Sequence, residues 1–230
     1  MNISSALVFG NNEYGHEIAK NVTHKYNSIT LFSLEEIEKD HNSPFNLEEF
    51  DLSEDWDELS EKYDMDSSII FCAINDEAKN IFLTISLRSS FKDVTIIALA
   101  KNNEDANKLK MAGASKVIPI VETTANIITD MLKKPIITEV LHNILYEESN
   151  LKIVQVTLKS VDAFTGLYPA EIDWSRKYGV LVLTIVHEDD SHEFIYTSKT
   201  KHNYLKSGDV LIVAGYELDL QNFKRSIGGE

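Results

Sequence analysis

The sequence has little cysteine and no long hydrophobic run. Its 230 residues include one cysteine, Cys72, so no disulfide bond can form within the chain. Cys72 lies in an apolar stretch, residues 69–73, and we expect it to be a buried small side chain. The apolar run Val180 to Val186 is only strand-sized, and the N-terminus lacks the basic start and apolar stretch of a signal peptide. We therefore expect an intracellular chain that does not cross a membrane by itself.

Positive charge is also scarce. The sequence has 22 Lys and Arg against 37 Asp and Glu, a formal net charge of -15 at pH 7. Proteins that bind nucleic acid neutralise phosphates with clustered Lys and Arg, so this composition excludes a nucleic-acid partner. Much of the negative charge lies between Glu35 and Asp66. We interpret this region as a solvated helix face and loop rather than a cation site.

One glycine is also missing from a strand-turn-helix motif. An apolar strand, Ala6 to Phe9, runs into the hexapeptide Gly10-Asn11-Asn12-Glu13-Tyr14-Gly15 and then into a helical pattern. This is the context of a dinucleotide-binding fingerprint, in which the first glycine makes the turn and the third allows helix to pack on strand. The middle glycine, which lets a pyrophosphate approach the backbone, is replaced by Asn12. The motif predicts a folding turn that has lost its phosphate role.

An acidic residue is missing as well. An NAD site places Asp or Glu at the end of the second strand, where the carboxylate holds the ribose hydroxyls. Here the strand Ile29 to Phe32 ends in Ser33, and Glu35 and Glu36 come just beyond. A serine brings no charge to the ribose and binds it more weakly. The sequence thus predicts a Rossmann-type scaffold whose cofactor site is degraded or altered.

Apolar strand patterns alternate with helical periodicity as far as about Lys134, which predicts a doubly wound parallel sheet. The predicted strands are 6–9, 29–32, 50–52, 69–73, 94–98 and 116–118, and the predicted helices are 15–25, 56–63, 77–89 and 103–112. Ligands bind such sheets beyond the carboxyl ends of the strands. The candidate ligand-binding residues there are Gly10, Asn11, Asn12, Glu13, Gly15, Ser33, Glu35, Asp51, Asn75 and Lys101. For Asp51, Asn75 and Lys101, capping of the following helices is an equal alternative.

The last hundred residues follow a different pattern. A helical stretch from about Thr124 to Tyr146 is interrupted at Pro135, where we expect a kink or a new helix start. Short strands follow at 153–158, 180–186, 193–196 and 210–214. We therefore predict a Rossmann-like lobe at 1–134, a helical connector at 135–150 and a small α+β lobe at 151–230. The acidic turn from His187 to Glu193 is interpreted as a solvated hairpin tip, and no metal-ligand or catalytic spacing of histidines is found.

Several motifs occur in an order that resembles one family. These are residues 109–119 (Leu-Lys-Met-Ala-Gly-Ala-Ser-Lys-Val-Ile-Pro), the connector 140–149, Asp162 to Leu167, Tyr178 to Ile185, and Gly208 to Gly215. The set resembles the regulator-of-potassium-conductance (RCK) domain, with its N-lobe, interface helices and small C-lobe. The resemblance covers nearly the whole chain.

The resemblance implies a non-catalytic regulatory module at the inner face of the cell membrane, which gates a potassium channel or a Trk/Ktr-type uptake system. Such modules dimerise and assemble into rings, so a homodimer and an octameric ring are expected. The dimer interface would use Ile137, Val140, Leu141, Ile144 and Leu145 of the connector.

The resemblance leaves the ligand open. Asn12 and Ser33 disfavour NAD(H), so we expect an adenine nucleotide or a cation instead. The positions aligned with the calcium ligands of calcium-gated members are Ala73, Leu99 and Lys101, which implies that this calcium site is absent. The alternatives are a nicotinamide-dependent Rossmann enzyme, such as a dehydrogenase or epimerase, and a nucleotide sensor with no transport partner.

Overall fold

The computed structural model describes residues 4–35, 44–53, 56–146, 150–189, 191–196 and 203–227. Some residues named above lie outside these ranges: Glu36, Glu147 to Ser149 of the connector, and Asp190 of the acidic turn. The chain divides into two compact units, Met1–Thr129 and Asp130–Glu230. Each unit has its own sheet, and the two are described separately.

The first unit contains a six-stranded parallel sheet. Its strands are β1 (Ser5–Phe9), β2 (Ser28–Ser33), β3 (Asn46–Glu49), β4 (Ile69–Cys72), β5 (Thr95–Ala100) and β6 (Lys116–Pro119). Their order across the sheet is β3-β2-β1-β4-β5-β6. Four helices accompany them: α1 (Glu13–Val22), α2 (Asp57–Lys62), α3 (Glu77–Ser90) and α4 (Asn103–Met111). The predicted doubly wound parallel sheet is confirmed.

The strand predicted at 50–52 is wrong. The third strand is instead Asn46–Glu49, a polar segment whose register pairs Leu47 with Leu31 of β2. It pairs with β2 alone and forms the edge of the sheet, where strands need no continuous apolar pattern. Phe50, just beyond it, is buried in the core. Its hydrophobicity therefore signals packing, not a strand.

Aromatic side chains fill the core on one face of this sheet. The ring of Phe9 stacks on that of Phe32 at 4.4 Å and meets those of Phe50 and Trp56 edge-on at 5.1 and 5.7 Å. Leu7 and Phe9 point to this face because side chains alternate along a strand, and Ala6 and Val8 point to the other, where α1 packs. Cys72 is fully buried in the same aromatic-rich core, as predicted.

The structure explains the Ala-Gly-Ala segment before β6. Gly113 has φ of +100°, and a Cβ on it would lie 2.4 Å from Cγ of Arg88. The Arg88 guanidinium donates hydrogen bonds to the carbonyl oxygens of Gly113, Phe91 and Val94. Arg88 thus ties the end of α3 to the turns before β5 and β6. Glycine at 113 lets this side chain pass.

The second unit is built around a four-stranded antiparallel sheet. Its strands are β7 (Leu151–Thr157), β8 (Val180–Val186), β9 (His192–Glu193) and β10 (Val210–Tyr216), in the order β7-β10-β8-β9. Helices α5 (Ile120–Lys133) and α6 (Pro135–Tyr146) precede the sheet, with α5 running across the boundary between the units. Helices α7 (Trp174–Tyr178) and α8 (Glu217–Ser226) complete it. The small α+β lobe is confirmed.

Pro135 opens a new helix. It is the first residue of α6, a position at which the missing N–H is not needed. The preceding helix starts at Ile120, four residues before the predicted start at Thr124.

Helix α8 was not predicted at all. Its inward residues, Leu220 and Phe223, are buried in the core of the second unit.

Candidate functional site

A cleft of about 370 Å³ lies at the carboxyl ends of β1, β2 and β4. This is the point where the strand order reverses, the usual ligand position in open α/β sheets. Its volume falls in the range of small-molecule sites. It is lined by Gly10, Asn11, Asn12, Ser33, Leu34, Glu35, Phe50, Ile74, Asn75, Asp76 and Lys79.

The two glycines of the turn are needed for close packing. Gly10 has φ of +141°, and a Cβ on it would lie 2.5 Å from the carbonyl oxygen of Ala73. A Cβ on Gly15 would lie 1.9 Å from the carbonyl oxygen of Gly10. The first contact brings the end of β1 against β4, and the second brings α1 against the turn. These are the folding roles that the motif predicts.

Asn12 occupies the centre of the turn. Its Oδ1 accepts a hydrogen bond from the backbone N–H of Gly15 at 3.1 Å, which caps α1. Its Nδ2 donates to the carbonyl oxygen of Ala73 at 2.7 Å. The backbone N–H groups at a helix N-terminus are what bind phosphate in a Rossmann site. Here one of them is already bonded to the chain's own side chain.

The ribose position is held by a neutral group. Ser33 is buried at the end of β2, and its hydroxyl accepts a hydrogen bond from the backbone N–H of Glu35 at 3.2 Å. Glu35 is exposed at the rim of the cleft. The Ser33 hydroxyl can still donate its own proton to a ligand. The nearest carboxylate among the predicted site residues is that of Glu35, two positions after the place where an NAD site has its acidic residue.

The β4 side of the cleft supplies two residues that sequence reasoning missed. Asp76 caps α3 by accepting a hydrogen bond from the backbone N–H of Lys79 at 2.9 Å. Lys79 lies in the first turn of α3 and lines the cleft, as does the predicted Asn75. A lysine one turn into the helix after a central strand is the signal that would have found it.

The loop bearing these residues is fixed from beneath by Asn80. This side chain is 2% exposed. Its Oδ1 accepts from the backbone N–H of Ile74 at 3.1 Å, and its Nδ2 donates to the carbonyl oxygen of Leu99 at 3.0 Å. Asn80 therefore joins the ends of β4 and β5. It holds the loop that forms one wall of the cleft.

Four predicted residues lie outside the cleft lining. Glu13 and Gly15 belong to the first turn of α1. The carboxylate of Asp51 accepts hydrogen bonds from the backbone N–H and the hydroxyl of Ser53, which lower the pKa of Asp51. The backbone carbonyl of Lys101 accepts a hydrogen bond from the N–H of Val121. Within the described residues, no group of three His, Cys, Asp or Glu side chains could hold a metal ion.

The predicted interface residues form an exposed apolar surface on α6. Ile137, Val140, Leu141 and Leu145 are 45% to 57% exposed within the single chain, and Ile144 is half-buried. The preceding helix α5 exposes Ile127, Ile128, Met131 and Leu132. A helix with this much exposed apolar surface usually buries it against another partner.

The acidic turn of the second unit differs from its prediction. Glu188 and Asp189 are exposed, as a solvated tip requires. His187 and Glu193 are not, because their side chains are only 18% and 7% exposed and contact each other. The interpretation as a solvated hairpin tip is therefore wrong for these two residues, and His187 also contacts Asp209.

The strand order and the glycine turn at the switch point define a Rossmann-type domain joined to a small antiparallel lobe. Residues 6–120, half of the chain, match the model of the TrkA-N domain, and the chain belongs to this family. The resemblance to an RCK-type module is thereby confirmed.

The relatives that this chain matches are distant in sequence. Potassium channel protein 1 of Methanocaldococcus jannaschii is 21% identical over 160 residues, which are 70% of this chain and 46% of the relative. The human SLO3 gating ring matches with a TM-score of 0.65 and 14% identity, over 95% of this chain and 46% of that one. The GsuK channel matches with a TM-score of 0.50 and 20% identity, over 99% of this chain and 39% of that one. The chain thus spans less than half the length of these proteins.

Within the described ranges, no helix is both long enough and apolar enough to span a membrane.

Proposed function

We propose that this chain is a cytoplasmic, non-catalytic regulatory module that senses a ligand in the strand-end cleft and gates potassium transport through a channel or a Trk/Ktr-type transporter. Membership of the TrkA-N family and the likeness to a potassium channel protein support this proposal. The mechanism is differential binding: a ligand that binds one conformation more tightly shifts the population toward it.

The cleft at the switch point carries the proposal of ligand sensing. Among the described residues that line it, the cleft offers one cationic group, Lys79, beside two carboxylates, Glu35 and Asp76. Lysine binds phosphate as a point charge. Asn12 fills the turn where a pyrophosphate would lie, so the cleft favours an adenine mononucleotide over NAD(H). A divalent cation on Glu35 and Asp76 would accompany the phosphate, whereas Asp51 does not line the cleft.

Calorimetry on the full chain tests the ligand. AMP, with and without Mg²⁺, should bind more tightly than NADH. Lys79→Met should weaken nucleotide binding by about tenfold, because a hydrogen bond to a charged group is lost. Lys101→Met is the matched control, since it removes a lysine at the same edge of the sheet but outside the cleft. Equal losses in both variants, or tight NADH binding, would contradict the proposed site.

The transport partner requires a separate experiment. We propose that the chain dimerises through the exposed surface of α6, that dimers build a ring, and that the ring acts on a membrane-embedded pore. Deleting the chain should alter potassium flux in cells, and a pore-forming protein should co-purify with it. Unaltered flux together with retained nucleotide binding would favour a sensor with no transport partner. Turnover of a nicotinamide cofactor with a substrate would instead favour an enzyme.

A further inference from the structure

The side chain of His187, just after β8, lies between two carboxylates. Its Nδ1 is 2.9 Å from Oδ1 of Asp209, and its Nε2 is 3.4 Å from Oε2 of Glu193. Asp209 is 1% exposed and Glu193 is 7% exposed, so water reaches neither carboxylate freely. We call these three side chains the histidine cluster. It lies wholly in the second unit, and the strand-end cleft belongs to the first.

The geometry favours a charged imidazole. A neutral ring has one N–H donor and one bare nitrogen, whereas the protonated ring has two donors. Both ring nitrogens of His187 face carboxylate oxygens, so only the protonated ring can donate to both. Burial lowers the pKa of His187, but the hydrogen bonds and charges of Asp209 and Glu193 outweigh it and raise that pKa above 6.5. The carboxylate of Asp189, in the adjoining turn, adds a third negative charge close to the ring.

The cluster supplements a short strand pairing. Within the described residues, strand β9 pairs with β8 through two residue pairs, Ile185 with Glu193 and Val186 with His192, whereas β8 and β10 pair along most of their length. Glu193 belongs to this short edge strand, and Asp209 lies in the turn before β10, where its Oδ2 accepts from the backbone N–H of Lys206 at 2.8 Å. His187 is therefore the side chain that bonds both the β8–β9 hairpin and the turn before β10.

One oxygen of the cluster is held without a hydrogen bond. Glu193 Oε1 is buried and has no hydrogen-bond partner among the described residues. Its other oxygen, Oε2, accepts from Nδ2 of Asn203 at 3.3 Å and faces His187. A buried carboxylate with an unpaired oxygen is stabilised mainly by the nearby positive charge. Removing the proton from His187 would leave Glu193 and Asp209 as buried charges without a cation in the cluster.

We propose that the histidine cluster is a proton-operated latch, which holds the β8–β9 hairpin closed while His187 is charged and releases it when His187 loses its proton. This would make the second unit responsive to alkaline pH, independently of any ligand in the cleft. Because the pKa is raised on folding, the stabilisation is complete below pH 6.5 and is lost as pH rises through the raised pKa.

Nuclear magnetic resonance of the full chain tests the charge directly. In the ¹H–¹⁵N spectrum of the imidazole rings, His187 should show two protonated nitrogens at pH 6.5 and should lose one of these protons only as the pH rises further. The signal that disappears in His187→Gln identifies the residue. A neutral His187 ring at pH 6.5 would overturn the proposal.

Hydrogen exchange tests the release. With rates corrected for intrinsic exchange, protection of the amides from Ile185 to Glu193 should fall by roughly tenfold between pH 6 and pH 9, as the charged hydrogen bonds are lost. In His187→Gln this protection should be low and independent of pH. His192→Gln, in the same hairpin but exposed, should behave like the wild type. Constant wild-type protection, or the same pH response in His187→Gln, would refute the latch.

Discussion

The interior of the first unit and the helices α5 and α6 contain similar apolar residues, but the first region buries them and the second exposes them. In the first region, Phe9, Phe32 and Trp56 are at most 5% exposed, and the ring of Phe9 contacts the other two. In the second, Ile128, Ile137 and Leu141 are about half exposed. Composition therefore identifies apolar surface without saying what covers it. One region is stabilised by the chain itself, and the other is available to a partner.

The largest expected effect comes from breaking the buried region. Phe9→Ala should lower the free energy of unfolding by about 3–5 kcal/mol, because it removes a fully buried ring that contacts three other aromatic rings. Phe82→Ala is the matched control, since Phe82 is 53% exposed on α3. It should change the unfolding free energy by less than about 0.5 kcal/mol. Similar losses in urea denaturation of the two variants would contradict the contrast between regions.

A charge on the exposed region should act on association instead of folding. Leu141→Asp should weaken the proposed dimer by about a hundredfold, since a carboxylate would be buried without a partner in the interface. Sedimentation measures the association, and urea denaturation at low concentration measures the fold, which should be little changed. Leu218→Asp, at an exposed leucine on α8, is a control for added charge. A monomeric wild type at high micromolar concentration would refute the interface.

A smaller effect is expected at the glycine turn that lines the cleft. Asn12→Gly combined with Ser33→Asp restores the fingerprint and should raise NADH affinity about thirtyfold, from two contacts of roughly 1 kcal/mol each. Replacing Asn12 by glycine should cost a few tenths of a kcal/mol for the lost cap and about 1 kcal/mol for the lost hydrogen bond to the carbonyl oxygen of Ala73. Asn12→Ser is the control, because serine keeps an oxygen that can cap α1. Calorimetry that finds no gain in the double variant would show that these two positions do not limit binding.

Local patterns were sufficient to predict the parallel sheet, because its central strands are continuous apolar runs such as Ile69–Cys72. They failed at the edge strand, where Asn46–Glu49 is recognisable only from its pairing with β2. They also failed for α8, whose buried Leu220 and Phe223 are separated by the polar Gln221 and Asn222.

The candidate site could be predicted only in part. Gly10, Asn12 and Ser33 follow strands directly, so their place at the carboxyl edge was evident from the sequence. Lys79 reaches the same cleft from within a helix, which strand ends do not indicate. The histidine cluster joins residues 187, 193 and 209 through contacts across the sheet and turn, and no local spacing encodes them.

The burial of Cys72 has a practical consequence for chemical labelling. The thiolate is the reactive form of cysteine, and burial raises the pKa of the Cys72 thiol to about 12. At neutral pH this sulfur is therefore unreactive toward maleimides and methanethiosulfonates while the protein is folded. A cysteine introduced at any exposed position becomes the single reactive thiol of the wild-type background. Fluorophores and spin labels can thus be attached at chosen sites on either unit without first removing the native cysteine.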